Sequence, residues 1–265
     1  MNEKQRAIVK KDLKGLVFDK FQFPVLFIVP LAFVVLIPTM FILLINLGYD
    51  SMNMQAEVQK LMDMLPVTGQ SDNMPLFTTE AILNYIMPVF FLIIPTMASM
   101  IMAASSFVGE KENRTLETLF YSPLSLRQIF QAKIMASFLL SMIVSIASFL
   151  VFLLVVETEF LLVIGSLYIP SFSWLITLLL VSPAVSFISI TLIVHGSAKA
   201  KTMQESQQRA MFIVFPLIFL IVGQFTGIIL IGPLLLLSLG VIFALLGVFL
   251  MKGIIKKLSY EGLLS

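Results

Sequence analysis

The amino-acid sequence predicts an all-α, polytopic membrane protein with six transmembrane helices. The 265 residues are 59% hydrophobic and only 12% charged, whereas soluble domains carry about 25% charged residues. Uncharged runs long enough to cross a bilayer recur along the chain, and Lys and Arg gather between alternate runs. We expect residues 1–265 to form a single membrane domain, with an amphipathic interfacial helix at the N-terminus and a short helix in a cytoplasmic loop.

Residues 1–20 contain six Lys and Arg before any apolar run begins. Apolar residues such as Val9 recur there at helical spacing, with lysines and Asp12 on the opposite side. This pattern predicts a helix in the membrane interface, its apolar side in the acyl boundary and its lysines on anionic headgroups. The lysines expected at the headgroups are Lys10, Lys11 and Lys14. A solvated basic tail is the alternative.

The uncharged runs predict the positions of the six crossings. We expect spans at about residues 24–47, 81–108, 134–156, 173–194, 210–231 and 233–251. Residues 160–172 include an apolar piece too short to span, and we expect it to be re-entrant or interfacial. The predicted fifth span contains Gly223 and Gly227, a G-x-x-x-G pair that allows close packing within the chain or against a partner subunit.

Residues 48–80 form the longest polar segment, and we expect it to be extracellular. It contains two pairs of methionines: Met52, Met54, Met62 and Met64. Thioether sulfur can bind Cu(I), but methionine is also a common, adaptable packing residue, and neither Cys nor His joins these pairs. The pattern favours packing over a copper site.

The distribution of charge predicts the topology. With both termini in the cytoplasm, sixteen of the 17 Lys and Arg are cytoplasmic and only Lys60 is external. This asymmetry follows the positive-inside rule. We therefore expect a multi-pass plasma-membrane protein with both termini inside.

Several functional classes are disfavoured by what the sequence lacks. There is no Cys and one His, His195, so metal clusters and Cys-His catalysis are disfavoured, and a net charge of +2 gives no reason to expect nucleic acid. No predicted span has a charged residue in its middle, unlike typical ion-coupled carriers. No Gly is followed by Lys, so the phosphate-binding loop of an ATPase is missing. Uphill transport would need a separate ATPase.

A charged island, residues 109–130, separates the second and third predicted spans. Three of its apolar residues fall at i, i+3 and i+4, so they predict a short amphipathic helix that could dock into a soluble partner. Ser125 with Gln128 has the pattern of a capping box that opens the next helix. The residues expected at the contact are Glu110, Glu112, Arg114, Thr115, Leu116, Glu117, Leu119 and Phe120. A plain cytosolic turn is the alternative.

The amino-acid sequence of this charged island resembles that of a known family. The stretches FVGEKE at 107–112, RTLE at 114–117 and SPLS at 122–125, followed by Lys133, resemble the first cytoplasmic loop of type-2 ABC transporter permeases, the membrane subunits of ATP-driven exporters. The resemblance implies that this loop carries a coupling helix that touches a nucleotide-binding subunit. It also implies ATP and Mg²⁺ on that partner, no cofactor in this chain, and two permeases, identical or related, paired with two ATPases.

We therefore expect a bacterial export permease for an apolar or amphipathic substrate, such as a peptide toxin, an antimicrobial peptide, a drug or a lipid, because the predicted interior is uncharged and rich in Met and Phe. A Na⁺ or Cu⁺ export permease of the same superfamily is one alternative. Another is a peptide immunity or sensor protein that transports nothing and has no need of the coupling loop. An intramembrane enzyme would require a nucleophile, base or metal that the spans lack.

Overall fold

The computed structural model describes residues 2–17, 19–20, 22–48, 55–56, 58–60, 73–113, 115, 124–197, 200–226, 228–229 and 231–257. Most of these residues are helical, and none of them forms a β-strand. The helices named here are α1 (Glu3–Val17), α2 (Gln22–Gly48), α3 (Met74–Glu112), α4 (Leu126–Ile164), α5 (Phe172–Ser197), α6 (Met203–Ala210), α7 (Val214–Phe225) and α8 (Pro233–Lys257). Five of them, α2 to α5 and α8, are long and apolar enough to cross a membrane.

The first helix, α1, is amphipathic and packs against the start of α4. Ile8 and Val9 are buried and join an apolar cluster shared with α2, α3 and α4. Gln5 donates from Nε2 to the carbonyl of Gln128 at 3.3 Å. The expectation that the apolar side of α1 faces acyl chains is therefore corrected for Ile8 and Val9, which rest on protein. The interfacial position of the helix stays a prediction.

One face of α2 is buried and the other is open. The buried residues recur every three or four positions: Leu26, Pro30, Val34, Pro38, Ile42 and Ile45. Both interior prolines thus face protein, where neighbouring helices can compensate for lost backbone hydrogen bonds. On the opposite face Ile28 and Leu36 are 62% and 66% exposed, as suits side chains that meet lipid.

The two longest helices, α3 and α4, pack against each other, and α3 is the most enclosed of the five candidate spans. The predicted capping box at the start of α4 is confirmed: Gln128 donates its backbone N–H to Ser125 Oγ at 3.4 Å, and Ser125 donates its own to Gln128 Oε1 at 3.0 Å. The helix continues through residues 160–164 as a π-helical turn and ends at Gly165, whose φ of 76° suits glycine. Residues 160–164 thus extend α4.

A neutral hydrogen-bonded cluster fixes the connection between α4 and α5 to α3. We call it the Trp174 brace, formed by Asn84, Tyr168, Ser171 and Trp174. Asn84 Oδ1 accepts from the Tyr168 hydroxyl at 3.0 Å and from the Ser171 N–H at 2.7 Å. Trp174 Nε1 donates to the carbonyl of Leu83 at 3.1 Å and to the Tyr168 hydroxyl at 3.2 Å. The non-helical residues 165–171 are held against α3 in this way.

The predicted fifth span is not one long helix. Within residues 210–231 the structure has a 3₁₀ turn over Met211–Ile213 and the 12-residue α7, and α6 precedes them. Helix α7 alone is about 18 Å long, which is shorter than a bilayer core. The composite run nevertheless follows the length of α3, since Met203 contacts Glu112 at one end and Gln224 donates to the Tyr85 carbonyl at the other. Six crossings stay a prediction, which this path supports.

Candidate functional site

The functional candidate is a charged cluster where the 109–130 loop leaves the helices. We call it the charged junction, formed by Lys11, Asp12, Ser106, Glu110 and Lys133. At its centre lies Lys133 on α4, whose side chain is only 1% exposed. Its Nζ is 2.7 Å from Glu110 Oε2 and 3.7 Å from Asp12 Oδ2, and it donates to the Ser106 carbonyl at 2.5 Å. One buried cation thus connects three helices.

The two carboxylates are also enclosed and have further partners. The side chain of Asp12 is 5% exposed and accepts from the Ser106 hydroxyl at 2.6 Å. Glu110 is 11% exposed and meets Lys11 as well, with Nζ to Oε1 at 2.7 Å. Two cations and two carboxylates therefore alternate as Lys11, Glu110, Lys133 and Asp12, and formally cancel in charge.

Burial and neighbouring charge act in opposite directions on these groups. Burial raises the pKa of Asp12, and the charge of Lys133 and the hydrogen bond from Ser106 offset this only in part. Partial burial acts to lower the pKa of Lys11, but the hydrogen bond and charge of Glu110 outweigh it, so the pKa lies above its usual value. Removing one member of a buried ion pair leaves an uncompensated charge, which typically costs about 3–5 kcal/mol.

Helical spacing explains how α1 reaches the junction. Gln5, Ile8, Val9 and Asp12 fall at i, i+3, i+4 and i+7, so they share one face, and all four are buried. The sequence analysis placed Asp12 with the solvated lysines, and that expectation is wrong. Because Asp12 carries a charge, it seemed to belong to the water-facing side, whereas it continues the buried stripe.

The start of α6 also packs against the end of α3, next to the charged junction. Glu112 Oε2 accepts the N–H of Met203 at the start of α6 at 3.0 Å, and Gln22 Nε2 lies 3.6 Å from Met203 Sδ. A Cβ at Gly109 would lie 2.8 Å from that sulfur. Glycine at this position therefore permits the close approach of Met203.

Some of the residues predicted at the loop contact are described and others are not. Glu110 and Glu112 form the last turn of α3, and Thr115 is exposed, with its N–H bonded to the Glu110 carbonyl at 2.9 Å. Five predicted contact residues lie outside the described residues: Arg114, Leu116, Glu117, Leu119 and Phe120. Their role as a coupling surface stays a prediction.

The structure describes only some of the other predicted site residues. Lys10 and Lys14 are exposed, whereas Lys11 contacts Glu110. Gly223 is buried, and a Cβ there would lie 2.9 Å from the Ile229 side chain, just beyond the end of α7. Outside the described residues lie Gly227, Met52, Met54, Met62 and Met64. Among the described residues, no group of three or more His, Cys, Asp or Glu could hold a metal ion.

Sequence reasoning missed the junction itself. Lys133 was noted only as the residue that follows the loop motif, and neither Asp12 nor Ser106 was given a role. One available signal was the position of Lys133 inside a helix that the Ser125 capping box already predicted to begin at Leu126. The pairing with Asp12 has no sequence signal, because the two residues lie on helices that meet only in the fold.

The fold and this junction define a multi-pass, all-helical membrane protein with a cluster of buried ion pairs where α3 ends and α4 begins. A family model described as ABC-2 family transporter protein matches residues 46–251. The chain therefore belongs to the ABC-2 family of transporter proteins, as the loop motif predicted. Such a chain is the membrane component of a transporter, is not itself the ATPase, and normally works with an ATPase subunit. No curated protein and no solved structure matches the chain.

Proposed function

We propose that this chain is the permease subunit of an ATP-driven exporter in the bacterial plasma membrane, that two permeases pair with two copies of a separate ATPase, and that the 109–130 loop is where the ATPase binds. This proposal is carried by one observation: the loop connects the end of α3, at Glu112, to the start of α4, at Leu126. Its base is fixed by the buried ion pairs of the charged junction. A push on this loop would act directly on both helices.

Transmission requires that the base of the loop be bonded to the helices, and the structure contains such bonds. The Lys133 ion pairs join α4 to α3 and α1, and the contact between Glu112 and Met203 joins α3 to α6. Closure of the ATPase on its nucleotide would therefore move α3 and α4 and, through these contacts, also α1 and α6. ATP and Mg²⁺ remain on the partner subunit.

The buried polar groups of the spans support an apolar or amphipathic cargo. Two serines of α4 bond within their own helix: Ser137 donates to the Lys133 carbonyl at 3.0 Å, and Ser145 to the Ser141 carbonyl at 2.8 Å. Ser141 also meets Ser186 of α5 at 2.8 Å. Hydroxyls used for helix contacts offer little to a hydrated ion, so we favour a peptide, drug or lipid over Na⁺ or Cu⁺.

The ATPase contact is tested by adding charge to the apolar face of the loop. In the double variant Leu119→Asp/Phe120→Asp, we expect copurification of the partner ATPase to be lost. Asn113→Asp is the matched control, because it adds a carboxylate to an exposed position of the same loop outside the predicted contact set. Undiminished copurification and ATP turnover in the double variant would refute the contact.

Direction and cargo need a second experiment. Purified permease and ATPase are reconstituted in liposomes, and ATP turnover is compared with an amphipathic peptide, Na⁺ or Cu⁺ added. We expect the peptide to stimulate turnover and neither ion to do so. Stimulation by an ion alone would support the ion-export alternative, and copurification without turnover would support a non-transporting peptide sensor.

A further inference from the structure

We propose that Lys133 is a positioning residue that exchanges its closer contact between Glu110 and Asp12 as the 109–130 loop moves, and so links the loop to α1. This inference rests on the proposed function and adds to it the residue that carries the movement. It starts from a geometric asymmetry: Lys133 Nζ is 2.7 Å from the Glu110 carboxylate and 3.7 Å from that of Asp12. The second carboxylate is near enough to take over the closer contact.

The two carboxylates belong to different helices. Glu110 lies in the last turn of α3, directly before the loop, so it follows any displacement of the loop. Asp12 lies on α1 and is held by the Ser106 hydroxyl at 2.6 Å. Displacing Glu110 would lengthen its contact with Lys133, and the cation would then draw Asp12, and α1 with it, closer.

The junction can change partners without burying a bare charge. Lys11 already contacts the other Glu110 oxygen at 2.7 Å and is 58% exposed, so it can keep Glu110 neutralised when Lys133 turns to Asp12. The carbonyl of Ser106, which accepts from Nζ at 2.5 Å, keeps one hydrogen bond to the cation throughout. Because cations and carboxylates alternate here, Lys133 can change its closer partner while every charge keeps a neighbour of opposite sign. In an isolated ion pair, the same movement would leave both charges without a partner.

Stability alone gives a weak reason for this arrangement. Buried ion pairs are often no more stabilising than apolar residues of similar volume, and a methionine would fill the space of Lys133. The ammonium of Lys133 lies against a π-helical turn of α3, because its partner Ser106 belongs to the turn over Ser105–Gly109. Such turns are frequent at functional sites. A buried lysine shared by three helices at that point suits the transfer of movement.

The exchange is tested by a distance measurement that does not depend on knowing the cargo. The natural chain has no Cys, so spin labels can be placed on cysteines introduced at Lys10 of α1 and His195 of α5, both exposed. In the wild-type background bound to its ATPase, we expect trapping with ATP and vanadate to shift this distance by about 2 Å, the scale of helix shifts in switching proteins.

Variants of the junction separate positioning from structure. Lys133→Met should keep the ATPase bound but abolish the shift and lower cargo-stimulated ATP turnover about tenfold, within the usual range for coupling between sites. Lys133→Arg should restore both. Lys14→Gln is the matched control: it removes an exposed lysine of α1 that lies outside the charged junction, and it should keep the shift. If Lys133→Met fails to fold, as judged by gel filtration in detergent, the isosteric Asp12→Asn is used in its place. It removes only the second carboxylate partner of Lys133, and it should likewise abolish the shift.

The failure of this inference is distinct from failure of the proposed function. A normal shift and normal turnover in Lys133→Met, or in Asp12→Asn where that variant decides, would overturn the exchange and leave the ATPase contact standing. Absence of ATPase copurification with the labelled chain that keeps Lys133 would overturn both proposals.

Discussion

The two ends of α3 are each fixed to neighbouring helices beside a π-helical turn, over Ile82–Ile86 at one end and Ser105–Gly109 at the other, but the chemistry of the two anchors differs. The four residues of the Trp174 brace are joined by neutral hydrogen bonds and aromatic packing, with the centre of the Trp174 ring 4.4 Å from that of Phe152, and one carboxylate, Glu157, accepts from the Tyr168 N–H at its edge. The charged junction uses ion pairs around Lys133.

This difference suggests a division of labour. Neutral hydrogen bonds are directional, and a close-packed ring has no second position of similar energy, so the Trp174 brace suits a fixed point. Ion pairs are less directional, and a cation between two carboxylates has two arrangements. The predictions below test whether the first end governs stability and the second governs coupling.

The largest effect on stability is expected at the brace. Trp174 is 2% exposed, so Trp174→Ala should lower the free energy of unfolding by about 3–5 kcal/mol through the cavity it leaves. The check is the fraction that survives heating, measured by gel filtration in detergent. Trp174→Phe, which keeps a ring but loses the N–H, should cost less.

The same variant also tests the comparison. The Trp174→Ala protein that does fold should copurify with the ATPase as well as the wild type does. If ATPase binding were lost while the folded fraction stayed normal, the brace would belong to the coupling machinery and the contrast between the two ends would break down.

A smaller effect is expected where α6 meets the junction. Gly109→Ala places a Cβ 2.8 Å from Met203 Sδ, and overpacking of this kind costs about 1–3 kcal/mol. We expect the low end, because the sulfur belongs to a flexible side chain. Heat survival in detergent measures the cost, and the double variant Gly109→Ala/Met203→Ala should recover part of it. Equal losses in the single and double variants would show that Met203 is not the obstacle.

The next prediction concerns pH. The folded state raises the pKa of Asp12, so folding favours its protonated form. That contribution to stability is present below the unfolded pKa of about 3.9 and is lost as pH rises through the folded pKa. The stability of wild type relative to Asp12→Asn should therefore fall as pH increases from about 4, measured as the difference in thermal survival across a pH series. A difference that does not change with pH would show that Lys133, Lys11 and the hydrogen bond from Ser106 fully offset the burial of Asp12.

The smallest effect is expected at the exposed edge of the junction. Lys11→Gln removes an ion pair whose cation is 58% exposed, and such pairs contribute about 0.2–1 kcal/mol. Thermal survival should change little at low salt and still less at high salt. A loss as large as that of Trp174→Ala would mean that Lys11 is part of the buried core of the junction.

Much of the architecture could be predicted from the sequence, because a membrane helix is recognisable from the hydropathy of its own residues. Uninterrupted apolar runs predict α2 to α5 and α8, and the Ser125 capping box predicts where α4 begins. Helix ends were harder: α4 runs on to Ile164, since the acidic residues near 157–159 do not stop a helix whose backbone bonds are already formed. The composite path of α6 and α7 was also not foreseen.

The sequence by itself determined the class of protein, because hydropathy, charge asymmetry and the loop motif are properties of short stretches that hold wherever the stretches lie. Only the tertiary structure decided that Asp12 is buried, that Lys133 is a shared cation and that Met203 rests on Gly109. Each of these contacts joins residues on separate helices, and which helices meet is set by the packing of whole apolar faces.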